Sequence, residues 1–360
     1  MAKIYDASLI GKKQSVVDEI LLLNPHQTPL LSLLGFSEAV TQTTHQWFED
    51  EMIADESTVA GAKLVSDTSV VVASAEPFRV GHVVKIGEEL LLVTAVAGTT
   101  LTVTRGYAGT TAAAIADGAK IEVQFVEGQE GADVRGARYK ARVAKSNKTQ
   151  IFDDAVEISG TAAAVQQYGI GDLYEYEKQK KQVELALQLE KALINGIQYE
   201  NGQIRQMKGI RQFIQSNVTN VNGALTLDAV TNLGQSIYEA GGFATGGDYK
   251  VIVGAKQKRK LSALDTNKVQ IGRSENSRGE VVDTLINDFG QFEIALNNNL
   301  AADELLFVDT NRMAIRPLVG REFFHKFMGD KGDYTVGMLV GEYTLEFKQE
   351  KAHGRLKGLN

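Results

Sequence analysis

The side chains with the most organised chemistry in this sequence are charged ones, and each sign keeps to its own stretch. Glu49, Asp50, Glu51, Asp55 and Glu56 fall between Thr41 and Glu56 with no Lys or Arg among them. Arg135, Arg138, Lys140, Arg142, Lys145 and Lys148 fall between Val134 and Lys148 with no Asp or Glu. Five acids set against six bases are suited to ion pairing, either as the two arms of one hairpin or between copies of the chain. Constellations for bond-making chemistry are missing. There is no GxSxG, HExxH, GxxxxGK[ST] or GxGxxG. The five histidines, His26, His45, His82, His325 and His353, are scattered singly, without the spacing of a metal site. Zero cysteines exclude disulfides, thiolate metal sites and cysteine nucleophiles. Asp153-Asp154 reads as a solvated loop pair, and Gly169-Ile170-Gly171 as a structural turn. Lys256, Lys258, Arg259 and Lys260 spread around a helix with no aromatic between them, which reads as a solvated face or a subunit contact. No cofactor, metal or catalytic residue is assigned.

The elements that must position the charged stretches can be read from periodicity. Val16, Val17, Ile20, Leu21 and Leu23 repeat at helical spacing before Asn24-Pro25, and TPLLSLLG (28–35) is either a helix on its own core or an arm laid on a partner. The acidic stretch is extended, and the basic one reads as a strand with Tyr139 and Val143 on one face. Between them, from 67 to 126, lie five runs rich in Val, Leu, Ile and Thr: 69–73, 80–86, 90–96, 101–104 and 121–125. Five such strands suit a small barrel or sandwich with a core of Val84, Ile86, Leu92, Val93, Leu101 and Val103, and a short turn joining Ser66 to Glu127 is expected to replace it. A long helix runs from an Asp172 cap to about Ile194, closed by Asn195-Gly196. Val183, Ala186, Leu187, Leu193 and Ile194 form its apolar face, with Leu185, Leu189 and Ala192 beside it. Residues 205 to 300 alternate helix and strand, and the chain ends in strands in which Leu345 and Phe347 alternate with Thr344, Glu346 and Lys348.

At 360 residues the chain exceeds what one hydrophobic core usually serves, so more than one packed unit is expected. Its 43% apolar and 23% charged composition is that of a folded protein. Only 4 prolines accompany 35 glycines, which favours long, bendable extended segments. A net charge of -7 argues against a surface that coats nucleic acid. No run is apolar enough to span a membrane.

The order of TPLLSLLG, a ribbon containing WFED, a return ribbon ending SNKTQIFDDAVEISGTAAAV and a long helix ending LEKALINGIQ resembles the major capsid proteins of tailed bacteriophages, the Hong-Kong-97-type shell fold. The resemblance is most specific over Asn147–Gly196. It implies an α+β fold divided into an N-terminal arm (1–40), an extended loop (41–66 and 127–160), an inserted β domain (67–126), a peripheral domain with spine helix (161–204), an axial domain (205–300) and closing strands (301–360). It further implies a virion structural protein, not an enzyme, that forms hexamers and pentamers of an icosahedral shell in the host cytoplasm. Its implied partners are scaffold, portal and decoration proteins and weakly held double-stranded DNA, with no membrane. The charged ribbon residues named above are the expected inter-subunit or ribbon contacts. One relative crosslinks its extended loops, but the inserted module occupies that region, so no crosslinking residue is carried over. Two other readings stand beside this one: an encapsulin-like compartment or other phage structural protein, and a carbohydrate-active enzyme or binding protein with the β module as ligand domain.

Overall fold

The computed structural model describes residues 28–128, 130–131, 135, 137–165, 170–243, 247–263, 271–275 and 281–360. The helix expected over 16–23 lies outside them. The chain divides into two compact units, one of residues 1–47 and 144–360 and one of residues Phe48–Val143.

In chain order the elements begin with α1 (Pro29–Leu34), β1 (Thr44–Glu49), β2 (Glu56–Thr58), β3 (Ser69–Val71), β4 (His82–Ile86), β5 (Glu89–Ala97), β6 (Thr100–Thr104) and β7 (Lys120–Val126). They continue with β8 (Val143–Lys148), β9 (Gln150–Ser159), α2 (Gly160–Ala164), α3 (Leu173–Asn195), β10 (Tyr199–Asn201), β11 (Ile204–Gln206), α4 (Ile210–Phe213), β12 (Val218–Gly223), α5 (Leu227–Glu239), β13 (Tyr249–Val253) and α6 (Ala255–Ala263). The last are β14 (Ile271–Glu275), β15 (Val281–Asn287), β16 (Gly290–Leu296), β17 (Leu305–Asp309), β18 (Met313–Pro317), β19 (Phe324–Asp330), β20 (Tyr334–Phe347) and β21 (Gly354–Leu359).

In the larger unit, α3 starts where sequence chemistry places it: the Asp172 carboxylate accepts from Tyr174 N at 2.9 Å and from Glu175 N, the two donors an N-cap serves. Its buried stripe is Leu185, Leu189 and Leu193, spaced by four residues, with Ile194 beside them. Val183, expected on the apolar face, is exposed, because the neighbours that α3 packs on, β9 and β20, meet the 185/189/193 ridge. Phe152, Val156 and Ile158 of β9 and Leu339, Leu345 and Phe347 of β20 complete this core. The helix ends at Gly196, where a side chain would collide with backbone: a Cβ there would lie 2.5 Å from Ala192 O and 2.7 Å from Met207 O.

Residues 28–35 settle on their own chain. Leu30 of α1 is buried in the α3 core, and the Glu190 carboxylate of α3 accepts from Leu30 N and Leu31 N, each at 2.9 Å, and from the Asn297 amide at 2.7 Å. Burial pushes the Glu190 carboxyl up, and these three donors draw it back only in part.

A second core lies where α5 covers a seven-stranded sheet of order β12-β21-β17-β13-β16-β15-β14. Val230, Leu233 and Ile237 of the helix meet Val251, Val253, Leu305, Phe307 and Leu356. The remaining larger sheet has β20 at its centre, paired with β18, β19 and β9. Asp153 and Asp154 lie within β9, so the solvated-loop assignment is wrong; the strand continues through them because Asp153 and Asp154 pair with Val340 and Leu339 of β20. The alternation expected at the C-terminal strand also fails: Thr344 and Glu346 are as buried as Leu345 and Phe347. Their face is covered, with Thr344 Oγ1 donating to Lys148 O at 3.0 Å and Glu346 held by His45, Arg316 and Lys348.

The unit of residues 48–143 is built on six strands in the order β2-β7-β4-β5-β6-β3. An antiparallel bridge between Val59 and Val72 joins the two ends of that order, with Ala60 N donating to Val71 O at 2.8 Å and Ala73 N to Thr58 O at 2.9 Å. The sheet therefore closes into a small barrel and satisfies its own edges. Its core contains Val84, Ile86, Val93, Leu101 and Val103, as expected, but Leu91 takes the place of Leu92 because inward positions on β5 are the odd-numbered ones. The barrel also takes in β2, which the sequence reading left in the acidic ribbon; Glu56–Thr58 pair with Lys120–Glu122, and a turn from Ser66 to Glu127 would cut this strand from its partner. Inside, Arg105 forms a bidentate pair with the buried Glu89 at 2.7 and 2.8 Å, and Glu89 also accepts from Gly106 N and Ala113 N.

Two predictions follow from the larger unit. Glu190→Ala leaves two amides of α1 and the Asn297 side chain without an acceptor, and is expected to cost roughly 3 kcal/mol in denaturant unfolding of the unassembled subunit. Glu190→Gln, which keeps an accepting oxygen, should cost clearly less; equal costs would show that the carboxylate does not hold α1. The second concerns acid. Burial, reinforced by the Arg312 charge and only partly opposed by the Lys348 carbonyl, lowers His353 to about 3. Its contribution to stability is full above pH 6.5, where the unfolded imidazole is also neutral, and declines as pH falls from there toward 3. His82 is lowered to about 4 and acts in the same direction, whereas Glu346, lowered to about 2, adds its loss only below about pH 4.5. Melting temperature should thus drop between pH 6.5 and 4.5, and His353→Gln should flatten that slope.

Candidate assembly interface

Strands β1 and β8 form a two-stranded sheet by which the chain leaves the larger unit and returns to it. Beyond them the ribbon is irregular over Asp50–Asp55 and over 137–142. The expected strand there does not form; two isolated strands are marginal without a third to pack on. Opposite charges nevertheless meet in antiparallel order: Arg142 Nε lies 3.2 Å from Asp50 Oδ2, and Lys140 Nζ 3.2 Å from Glu51 Oε2, with Glu76 at 4.0 Å.

The other charged residues have different partners. Glu56 pairs with Lys120 across the barrel, at 2.5 Å. Asp55 contributes its carbonyl, which accepts from Val123 N at 2.7 Å. Arg138 donates to Pro77 O at 2.7 Å and Arg135 to Glu127 O. Lys148 pairs with Glu200 at 2.9 Å. Lys145 sits near Lys208, whose ammonium is lowered first by burial and then by the Lys145 charge. Glu49 ends β1 and is half-buried. Among the described residues, Arg142–Asp50 and Lys140–Glu51 thus stitch the two arms at the surface.

Among the described residues, nothing covers the apolar side chains on this ribbon. Phe48 is 73% exposed, Met52 91% and Tyr139 84%, and Val143 is exposed with them. A second apolar projection, unread in the sequence, is the β19–β20 hairpin. It carries Phe324, Phe327, Met328 and Tyr334 at its surface, and turns through Gly329 and Gly332 at positive φ. Its base is fixed by Tyr174 of α3, whose hydroxyl lies 2.8 Å from His325 Nε2 and whose ring meets Phe327 edge-on. The available signal was the pair of glycines in FMGDKGDY between two apolar runs. Exposed aromatics of this number mark a surface meant for protein contact. Among the described residues no group of three His, Asp or Glu is placed to hold a metal, and no helix is long and apolar enough to cross a membrane.

Three solved structures align over nearly the whole chain. The capsid of a native GTA particle matches with a TM-score of 0.51 at 10% identity, covering 99% of this chain and 98% of that one. Mycobacterium phage Adephagia matches with 0.51 at 11%, covering 99% and 98%, and Microbacterium phage Oxtober96 with 0.51 at 10%, covering 98% and 96%. No curated protein matches the chain. The model of the SU10 major capsid protein family matches residues 3–360, and the chain belongs to that family.

Because both ribbon pairs are exposed, each is worth about 0 to 1 kcal/mol to the subunit. Lys140→Ala and Arg142→Ala should each lower subunit stability by less than about 1 kcal/mol in denaturant unfolding; a larger loss would mean that the pairs hold the ribbon's fold.

Proposed function

We propose that copies of this chain close as hexamers and pentamers into an icosahedral head shell around the double-stranded DNA of a tailed phage, assembling in the host cytoplasm. The observation that carries this reading is the ribbon: a charged, two-armed extension with Phe48, Met52 and Tyr139 uncovered, which a neighbouring copy would bury. In this reading Glu49, Asp50, Glu51, Asp55, Glu56, Arg135, Arg138, Lys140, Arg142, Lys145 and Lys148 set the polarity of the contact, and the apolar side chains between them supply most of its free energy. The larger unit comprises the arm, peripheral and axial regions, and the barrel adds lattice contacts without defining the lattice. Scaffold, portal and decoration proteins act as partners, DNA is held weakly by a subunit of charge -7, and the chain performs no catalysis.

Met52→Ser with Tyr139→Ser tests the reading. The wild-type protein is expected to give closed particles in negative-stain micrographs and a fast-sedimenting species. The double variant should keep the subunit's circular dichroism and melting temperature yet sediment mainly as free subunits or capsomers. Unchanged shell yield would remove the ribbon from the assembly contact.

A further inference from the structure

A cleft of about 1090 Å³ opens in the unit of residues 48–143, and three arginines, Arg79, Arg135 and Arg138, line it. All three act on one point, since the charge of each lowers the neighbouring His82 imidazole. Among the described residues none of the three forms an ion pair with a carboxylate. Arg138 donates to Pro77 O, Arg135 to Glu127 O, and Arg79 Nε to His82 Nε2 at 2.9 Å. Three acids share the lining but have other engagements or none with these cations: Glu76 is 4.0 Å from Lys140, Glu127 accepts from the Tyr107 hydroxyl, and Glu130 is exposed.

His82 sharpens the picture. It is 1% exposed, and because Nε2 accepts from Arg79 its single proton sits on Nδ1. That buried Nδ1–H has no acceptor. A buried donor left unsatisfied costs about 1 to 3 kcal/mol. Guanidinium donors thus come together from two separate segments, the loop before β4 and the stretch before β8, with the buried His82 imidazole behind them and outside the cleft lining.

We propose that this cluster is a binding site for a phosphate dianion, free or as a phosphate monoester. The choice over a carboxylate rests on geometry and charge. Three guanidiniums on two segments need several acceptor oxygens pointing in different directions, which a tetrahedral oxyanion offers and a planar carboxylate with two oxygens does not. A charge near -2 also offsets more of the three guanidiniums than a single -1. Bound there, the anion would tie the loop before β4 to the return stretch.

Isothermal titration of the full-length subunit with inorganic phosphate, at constant ionic strength set with chloride, tests the site. Saturable binding with a Kd on the order of 1 mM or tighter is expected, and phenyl phosphate should bind comparably. Arg79→Gln, Arg135→Gln and Arg138→Gln should each weaken it at least tenfold. Arg138→Lys, which keeps the charge but loses the fork, should weaken it less and serves if the glutamine variant does not fold. In nitrogen-15 NMR the His82 resonances should move on phosphate addition, and its pKa should rise as the arginine charge is neutralised. No saturable heat and no His82 shift up to about 10 mM phosphate would overturn the proposal, as would unchanged affinity in the arginine variants. Equal binding of acetate would overturn it too, by showing a site for carboxylates such as those of a neighbouring copy.

Discussion

One buried carboxylate fixes the geometry on which the larger unit depends. Glu190 sits on α3 at full burial, directly after Leu189 and among the leucines that make the α3 core, and three donors from two distant segments converge on it. Two of them are the opening amides of α1, and the third is Asn297, just beyond β16. A carboxylate in that position is costly unless it is satisfied, so the arm helix and the β16 loop are required partners of the helix. Hydrophobic contact alone would let Leu30 slide among the leucines of the core; a bidentate carboxylate across two consecutive amides permits one register.

The same logic recurs at the borders of β20. Glu342 is buried and receives the Thr149 hydroxyl, Arg205 at 2.9 Å and, at 2.9 Å, Arg321. Glu346 is buried among His45, Arg316 and Lys348, and these partners outweigh desolvation so far that its carboxyl is lowered to about 2. On β17's side, Glu304 accepts from Arg211 at 2.6 Å and Arg355 at 2.5 Å. Such pairs contribute little net stability over apolar substitutes, but they penalise any misplacement of the strands that supply the partners.

How much of this was legible in the residues depends on range. Short-range signals were reliable: the Asp172 cap, the end at Gly196, the alternation of helix and strand after 205 and most of the barrel core are decided by neighbours within a few positions. What failed needed knowledge of a partner far along the chain. The buried face of α3 is set by β9 and β20, not by its own pattern, which is apolar on several sides. Thr344 and Glu346 look solvent-facing by alternation, and become buried because β1 and β8 cover them. Glu56 belongs to the barrel because β2 pairs with β7, far along the chain, where the Lys120 side chain reaches it. For the charged ribbon, segregation of charge was plain, and Asp50–Arg142 and Glu51–Lys140 do meet. Arg135, Arg138 and Lys148 went elsewhere because backbone carbonyls and Glu200 were closer than the ribbon's acids. The arginine cluster around His82 was invisible because it joins residues more than fifty positions apart.

The two extended parts of the chain treat their backbone edges in opposite ways. In the barrel every sheet edge is closed by the Val59–Val72 bridge, so that unit can sit in water without offering strands to another chain. The ribbon has the contrary construction: two strands pair at its base, its outer part carries no regular pairing, and large apolar side chains alternate with charge. A monomer evolved for solution would have shortened or covered such a segment. Among the described residues its apolar side chains stay uncovered, so a contact that buried them would release free energy. Self-closure of the barrel and incompleteness of the ribbon are therefore complementary: the first withholds backbone edges from pairing with other chains, while the second leaves apolar side chains uncovered.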